Sequence, residues 1–158
     1  MRTLHKIRWL FWGSVICFTL MSATILGMPF AAADESSNTP KIVLGILFWS
    51  MALLGTLMIC RADRKRKRLL HNRPGLDPGM GRRPGIFTVF SSIPGTIFDV
   101  LGICSVTAFI IFSFTDLWNS YIPFVLLFLI FLSVGMHCLF NGRVYKTTKI
   151  KHLRRREK

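Results

Sequence analysis

The chain has 158 residues, of which 51% are hydrophobic, with a mean hydropathy of +0.46 and a formal net charge of +14. The apolar residues are concentrated in long, nearly charge-free stretches, which excludes a small soluble domain in which they would be scattered. Continuous apolar runs also exclude transmembrane β-strands, in which apolar and polar residues alternate.

Four apolar stretches predict four membrane-spanning helices. Each holds about the 17–25 residues that a helix needs to cross the hydrocarbon layer, and a helix satisfies its own backbone N–H and C=O groups in lipid. The predicted spans are residues 9–31, 42–60, 95–114 and 121–140. We therefore predict an all-α chain that forms one polytopic membrane domain over 1–158, with its spans arranged as two antiparallel hairpins.

The first span shares features with a secretory signal peptide, because a basic segment precedes it and Ala31-Ala32-Ala33 follows. The apolar stretch from Trp9 to Met28 is longer than the ~7–15 residues usual in a signal peptide. We therefore predict a retained helix. Cleavage is the alternative, and it would leave three spans.

The basic residues are distributed asymmetrically around the spans. Of the 21 Lys and Arg residues, Lys41 alone lies between the first and second or the third and fourth spans. Acidic residues Asp34, Glu35 and Asp116 lie in those segments. The positive-inside rule then predicts both termini and the basic loop 61–94 in the cytoplasm, with the chain in a bacterial-type plasma membrane.

The end of this basic loop has helical periodicity. The apolar positions of residues 86–93 share one face, and Thr88, Ser91 and Ser92 face away. We predict a short interfacial helix here, separated from the third span by Pro94 and Gly95. A straight extension of the third span is the alternative.

Helix ends and contacts also have sequence signals. Pro40, Pro94 and Pro123 lie near the starts of three spans, as expected for the first turn of a helix. Asn141-Gly142 predicts a glycine C-cap after the fourth span. Small residues predict faces where helix backbones approach closely; these are Gly13 and Cys17, Gly45 and Gly55, and Gly102, Ser105, Ser133 and Gly135.

Two basic clusters predict contact with anionic inner-leaflet lipid or with a partner, worth about 1 kcal/mol per residue near the surface. One follows the second span directly, and the other lies in the basic tail 141–158. The predicted contact residues are Arg61, Arg64, Lys65, Arg66, Lys67, Arg68, Arg154, Arg155 and Arg156. Alternatively, the clusters only determine topology. They lack interleaved aromatic residues, so no specific nucleic acid is predicted as a partner.

Asp99 and His137 form the candidate intramembrane polar pair. In an antiparallel hairpin turning near Trp118, partner positions sum to about 236, so these two residues would meet about 7–8 Å from the cytoplasmic ends of their helices. Such a pair could relay protons, orient the imidazole or help to bind a metal. We favour a structural ion pair or two independent interfacial residues, because both charges complement the helix dipoles.

Catalytic motifs are absent from the sequence, which contains no H-E-x-x-H, G-x-S-x-G or P-loop pattern. Catalysis at Asp99 and His137 would need a third polar group, for which Asn141 and Ser133 are the candidates. Cys60 with His71 is a second arrangement that loop folding could create. We predict no catalytic residue, no metal and no cofactor.

These features favour a small, non-enzymatic membrane protein that acts by interaction, as an accessory, regulatory or immunity-type protein. Its predicted partners are the lipid bilayer and another membrane protein or a second copy of the chain. One alternative is a proton- or metal-coupled transporter component built around Asp99 and His137. A membrane-embedded enzyme is the other.

Overall fold

A computed structural model describes residues 2–33, 38–72, 92–115 and 121–149, and these residues form five α-helices. The helices are α1 (Arg2–Ala33), α2 (Thr39–Asn72), α3 (Ile93–Phe112), α4 (Ile122–Phe140) and α5 (Arg143–Thr148). The first four are long and apolar enough to cross a membrane. The predicted all-α chain with four membrane-spanning helices is therefore confirmed.

Helix α1 lies between α2 and α4, and α3 packs on the far side of α4. A methyl group added at Gly13 would lie 3.0 Å from Met58, and one at Gly27 would lie 3.3 Å from Leu44. These contacting positions run in opposite directions along α1 and α2. The predicted pairing into hairpins stays a prediction, because residues 34–37 and 116–120, which connect the helices, lie outside the described residues.

Small residues bring α1 and α2 together as predicted, with one exception. A methyl group at Gly55 would lie 3.2 Å from Cys17 Cβ, and Ser14 Oγ donates a hydrogen bond to the Gly55 carbonyl at 3.0 Å. A methyl group at Gly45 would meet no atom within 4 Å, so this glycine is not at a helix contact. In lipid, helices are held together by van der Waals contacts, which small residues allow by letting the backbones approach closely, and by interhelical hydrogen bonds.

The basic loop predicted over 61–94 is wrong for residues 61–72, because α2 continues through them to Asn72. Arg, Lys, Leu and Ala are good helix formers, and residues 61–73 contain no Gly or Pro. The 34 residues of α2 correspond to about 51 Å, against about 30 Å of hydrocarbon thickness. The last turns of α2 therefore carry their basic residues on a rigid helix outside the hydrocarbon layer.

The start of α3 differs from the predicted layout. Ser92 is the N-cap with extended backbone (φ −149°, ψ 151°), and Pro94 lies in the first turn of the helix. Ser92 is therefore not helical, which also rules out a straight extension of α3 through this residue. Residues 86–91 of the predicted interfacial helix lie outside the described residues.

The predicted basic tail 141–158 contains a short helix near its start, α5. Helix α4 ends at Phe140, but Gly142 has φ −75° and is the N-cap of α5, so the predicted glycine C-cap geometry is wrong. Glycine is favoured here by close packing: a methyl group would lie 2.9 Å from the Cys138 carbonyl oxygen.

A cluster of contacting buried hydrophobic residues lies at one end of the helices, and further buried residues, Cys17, Met21, Ile25 and Ala31, continue along α1. We call the end that holds the cluster the basic end; it comprises the start of α1, residues 61–72 of α2, the end of α4, and α5. The basic-end core is the cluster of buried side chains at this end: Ile7, Phe11, Ala62, Met136, Leu139, Phe140, Val144 and Tyr145. Lipid solvates apolar side chains about as well as the protein does, so expulsion of water can drive packing mainly for the part of this cluster that extends beyond the predicted spans, at Ile7, Ala62, Val144 and Tyr145.

Candidate functional site

Asp99 of α3 and His137 of α4 are in contact. Asp99 Oδ1 and His137 Nδ1 are 2.5 Å apart, and the side chains are 2% and 19% exposed. The structure thus brings the two residues together at the register that their numbering predicts. They are the only acidic, basic or histidine side chains in the four predicted spans. A carboxylate paired with an imidazole can hold a proton and orient the ring.

Asn141 adds a third polar group to this pair. Its Nδ2 donates to Asp99 Oδ2 at 3.1 Å and lies 3.0 Å from His137 Nδ1. His137 and Asn141 are four residues apart, on the same side of the end of α4, where neighbouring turns meet. We call Asp99, His137 and Asn141 the polar triad.

The polar triad is braced by the first turn of α3. Ser92 Oγ accepts a hydrogen bond from the Gly95 N–H at 3.1 Å and donates one to the Phe140 carbonyl at 3.0 Å. One hydroxyl therefore caps the start of α3 and satisfies a carbonyl at the end of α4. This role of Ser92 was not predicted from the sequence, although Ser92 followed by Pro94 is an N-cap signal.

A groove runs from the polar triad along the contact between α3 and α4. It has a volume of about 490 Å³, and its walls include Phe98, Ile103, Val106, Ile130 and Val134. Ser133 lies on its floor opposite Gly102, where a methyl group would come within 3.0 Å of Ser133 Cβ. Of the two predicted candidates for a third polar group, Asn141 joins the pair directly and Ser133 lies deeper in the groove.

The second arrangement considered from the sequence, Cys60 with His71, does not form. Both residues lie on the continuous helix α2, so eleven residues separate them by about 16 Å along its axis. Within the described ranges, no cluster of three His, Cys, Asp or Glu residues is placed to hold a metal ion.

The basic residues of α2 divide between two faces. Arg61, Arg64, Lys67 and Arg68 are exposed, and Lys65 is half-buried. Arg66 is only 5% exposed, since it shares an inward face with Ala62 and Leu69 at helical spacing. The contact with anionic lipid or a partner that was predicted for Arg66 therefore stays a prediction, and the burial of this side chain does not favour it. The predicted contacts Arg154, Arg155 and Arg156 lie outside the described residues.

Asp63 is the anionic partner of this segment. Its carboxylate is 3.0 Å from Arg66 Nε and 3.0 Å from Lys67 Nζ. Partial burial raises the pKa of Asp63, but hydrogen bonds from Lys67 and Arg66 lower it by more, so the net pKa is below the usual value of 3.8. The buried guanidinium of Arg66 thus has a counter-ion within its own helix.

The depressed pKa of Asp63 predicts how the stability of the basic end depends on pH. A folded-state pKa below the unfolded value of about 3.9 stabilises the fold above that pH, and the stabilisation is lost as pH falls through the folded value. Asp63→Asn should therefore lower thermal stability in detergent at pH 7, and the difference from wild type should shrink by pH 3. An equal difference at both pH values would contradict this assignment.

Helix α5 is attached to the rest of the basic end by α1. Arg8 Nε donates to the Thr148 carbonyl at 2.9 Å, which satisfies a carbonyl at the last turn of α5. Lys149 Nζ lies 4.8 Å from the centre of the Tyr145 ring, a cation–π distance. Segments of four helices, α1, α2, α4 and α5, therefore pack together at the basic end.

No family model matches this chain, and neither curated proteins nor solved structures show a significant similarity to it.

Proposed function

We propose that this protein is a non-enzymatic, multi-pass membrane protein that acts by interaction, as an accessory, regulatory or immunity-type protein. The main support for this proposal is that Asp99 and His137 form hydrogen bonds with each other and with Asn141 at one end of the α3–α4 contact. The only ionisable carboxylate and imidazole of the spans thereby tie two helices together. Membrane proteins commonly use polar side chains in this way.

The distribution of the polar groups supports interaction over transport. A proton or metal path needs polar groups along the full membrane depth, but the polar triad lies close to one end of α3 and α4. Beyond it the groove walls are chiefly apolar. The proton-coupled transporter remains the second candidate, favoured by the direct contact between Asp99 and His137.

The basic end is the proposed contact surface. The exposed side chains of Arg61, Arg64, Lys67 and Arg68 project from a helix that continues out of the hydrocarbon layer. We propose that this end lies at the cytoplasmic face of a bacterial-type plasma membrane, with both termini cytoplasmic. It would contact anionic headgroups and a membrane-protein partner, or a second copy of the chain.

Substitutions in the polar triad test the interaction role. We expect Asp99→Asn and His137→Ala to weaken the α3–α4 contact modestly, with membrane insertion retained, because both helices stay apolar enough to insert. Wild-type and variant chains would be purified from native membranes in mild detergent, and copurifying membrane proteins identified by mass spectrometry. Enrichment of one partner at a fixed ratio supports the proposal. Loss of a measurable transport or hydrolytic activity in a folded variant would overturn it.

Charge removal tests the contact with anionic lipid. Trp9 and Trp12 are exposed near the basic end, so their fluorescence reports on nearby brominated lipids once Trp49 and Trp118 are replaced by Phe. We expect brominated anionic lipid to quench more than brominated zwitterionic lipid. Replacing the four exposed basic residues of α2, namely Arg61, Arg64, Lys67 and Arg68, with Gln should abolish this difference in quenching. Each of these charges contributes about 1 kcal/mol to the attraction to anionic lipid. Lys41→Gln is the matched control, and an effect of equal size there would contradict the proposal.

A further inference from the structure

The groove between α3 and α4 opens sideways, where the membrane lies if these helices span it. Within the described residues, α4 is the only helix whose backbone lies close to that of α3. No other described helix therefore covers the open side of the groove. The groove extends from Phe98 to Thr107 on α3, which is about 14 Å along the axis. If α3 and α4 span the bilayer, none of the other described helices blocks the entry of a molecule into the groove from the lipid.

Ser133 on the groove floor is an unusual serine in this protein. The hydroxyl groups of the other buried serines donate to carbonyls: Ser14 to Gly55, Ser22 to Phe18, and Ser105 to Leu101. Ser133 Oγ is buried and has no hydrogen-bond partner in the part of the chain that the structure describes. Because an unpaired buried hydroxyl is costly, a ligand that hydrogen-bonds to it would be stabilised.

Depth and charge restrict the chemistry of such a ligand. Ser133 lies seven residues before Phe140, about 10 Å from the end of α4. A phosphate or carboxylate at that depth would be poorly solvated, and it would lie near the Asp99 carboxylate. An uncharged hydroxyl or ester group has neither disadvantage, and a hydrocarbon chain fits the apolar walls.

We propose that the α3–α4 groove binds an uncharged long-chain amphiphile from the bilayer, with its hydroxyl or ester group hydrogen-bonded to Ser133 and its chain against Ile103, Val106 and Val134. This site is separate from the proposed contact surface at the basic end. It does not depend on the interaction role of the protein.

The test uses the full chain in nanodiscs with a monoacylglycerol that carries a diazirine in its acyl chain. Cross-links mapped by mass spectrometry should concentrate on groove residues. Val134→Phe would fill the groove from its exposed side, since Val134 is 59% exposed, and should lower labelling at least fivefold. Val125→Phe, on the same helix but outside the groove and 45% exposed, is the matched control and should leave labelling unchanged.

Two further comparisons test the head group. Ser133→Ala should lower labelling without loss of fold, because it removes a buried hydroxyl that has no partner; protection of the buried Cys17 thiol from maleimide reports on the fold. The phosphate ester of the same probe, a lysophosphatidic acid, should label the groove more weakly. The proposal is overturned by labelling that Val134→Phe leaves unchanged, or by equal labelling with the phosphate ester. It is also overturned by cross-links between chains that Val134→Phe removes, which would identify a second copy as the occupant.

Discussion

Gly95→Ala is expected to destabilise the α3–α4 contact by about 3 kcal/mol. The added methyl group would lie 2.0 Å from Asn141 Oδ1 and 2.8 Å from both Asn141 Cγ and Ser92 Oγ. The Asn141 amide would have to move away, and Asp99 would lose the hydrogen bonds that Nδ2 donates. Overpacking costs about 1–3 kcal/mol, and a lost hydrogen bond to a charged group costs about 1.5–3 kcal/mol. Unfolding in an SDS titration, followed by circular dichroism, measures the change.

Gly45→Ala is the control for this prediction. It is also a glycine in a membrane-spanning helix, but an added methyl group there would meet no atom within 4 Å. We expect a change within about 1 kcal/mol, the difference in helix propensity between Gly and Ala. In an Asn141→Ala background, Gly95→Ala should cost less than it does in the wild-type chain, because the obstructing amide is absent and only the close approach to Ser92 Oγ remains. An undiminished cost in that background would show that the clash with Asn141 is not the cause.

Phe11→Ala is expected to destabilise the fold by about 3–5 kcal/mol, the usual cost of deleting a fully buried aromatic side chain. Phe11 is 0% exposed and lies in the basic-end core, with its ring centre 5.6 Å from that of Phe140 and 5.5 Å from that of Tyr145. Its loss would open a cavity where α1, α4 and α5 meet. The rate of maleimide labelling of Cys17, with the other three cysteines replaced by Ala, would report on the loosened packing of α1.

Phe114→Ala is the matched control, because Phe114 is 86% exposed at the other end of α3. We expect little change in Cys17 labelling there. The comparison also bears on the predicted retention of the first helix, because Phe11 lies in the segment that signal-peptide cleavage would remove. If Phe11→Ala had no more effect than Phe114→Ala, a structural role of α1 in the mature protein would be contradicted.

One contact of the polar triad could be predicted from the sequence, and the others could not. The contact between Asp99 and His137 follows from counting residues from an antiparallel turn, since both helices rise 1.5 Å per residue. Counting residues gives the depth of a side chain along its helix. It does not give the rotation of the helix about its axis, which decides which side chains face each other. Asn141 was a candidate from the sequence, but its part in the triad depends on how α4 ends and on the space that Gly95 leaves.

The burial of Arg66 is a second feature that also depends on helix rotation and was not predicted. The run of basic residues after the second span predicts lipid contact for all of them, because each is costly to bury. The continuation of α2 places Arg66 on the inward face, and Asp63 supplies the counter-charge three residues earlier. The inward face repeats at Ile59, Ala62, Arg66 and Leu69, a helical spacing that could have been read from the sequence had the segment been assigned to a helix.

The sequence by itself determined the helical class and the presence of four helices that are long and apolar enough to span a membrane. Those properties depend on local composition, because a bilayer requires a fixed length of apolar helix whatever its neighbours are. Only the tertiary structure decided where the core lies, which basic residues face inward and which polar groups meet at the α3–α4 contact. Those depend on how each helix is rotated against the next, and inside lipid the apolar side chains do not determine that rotation; small residues and hydrogen bonds do.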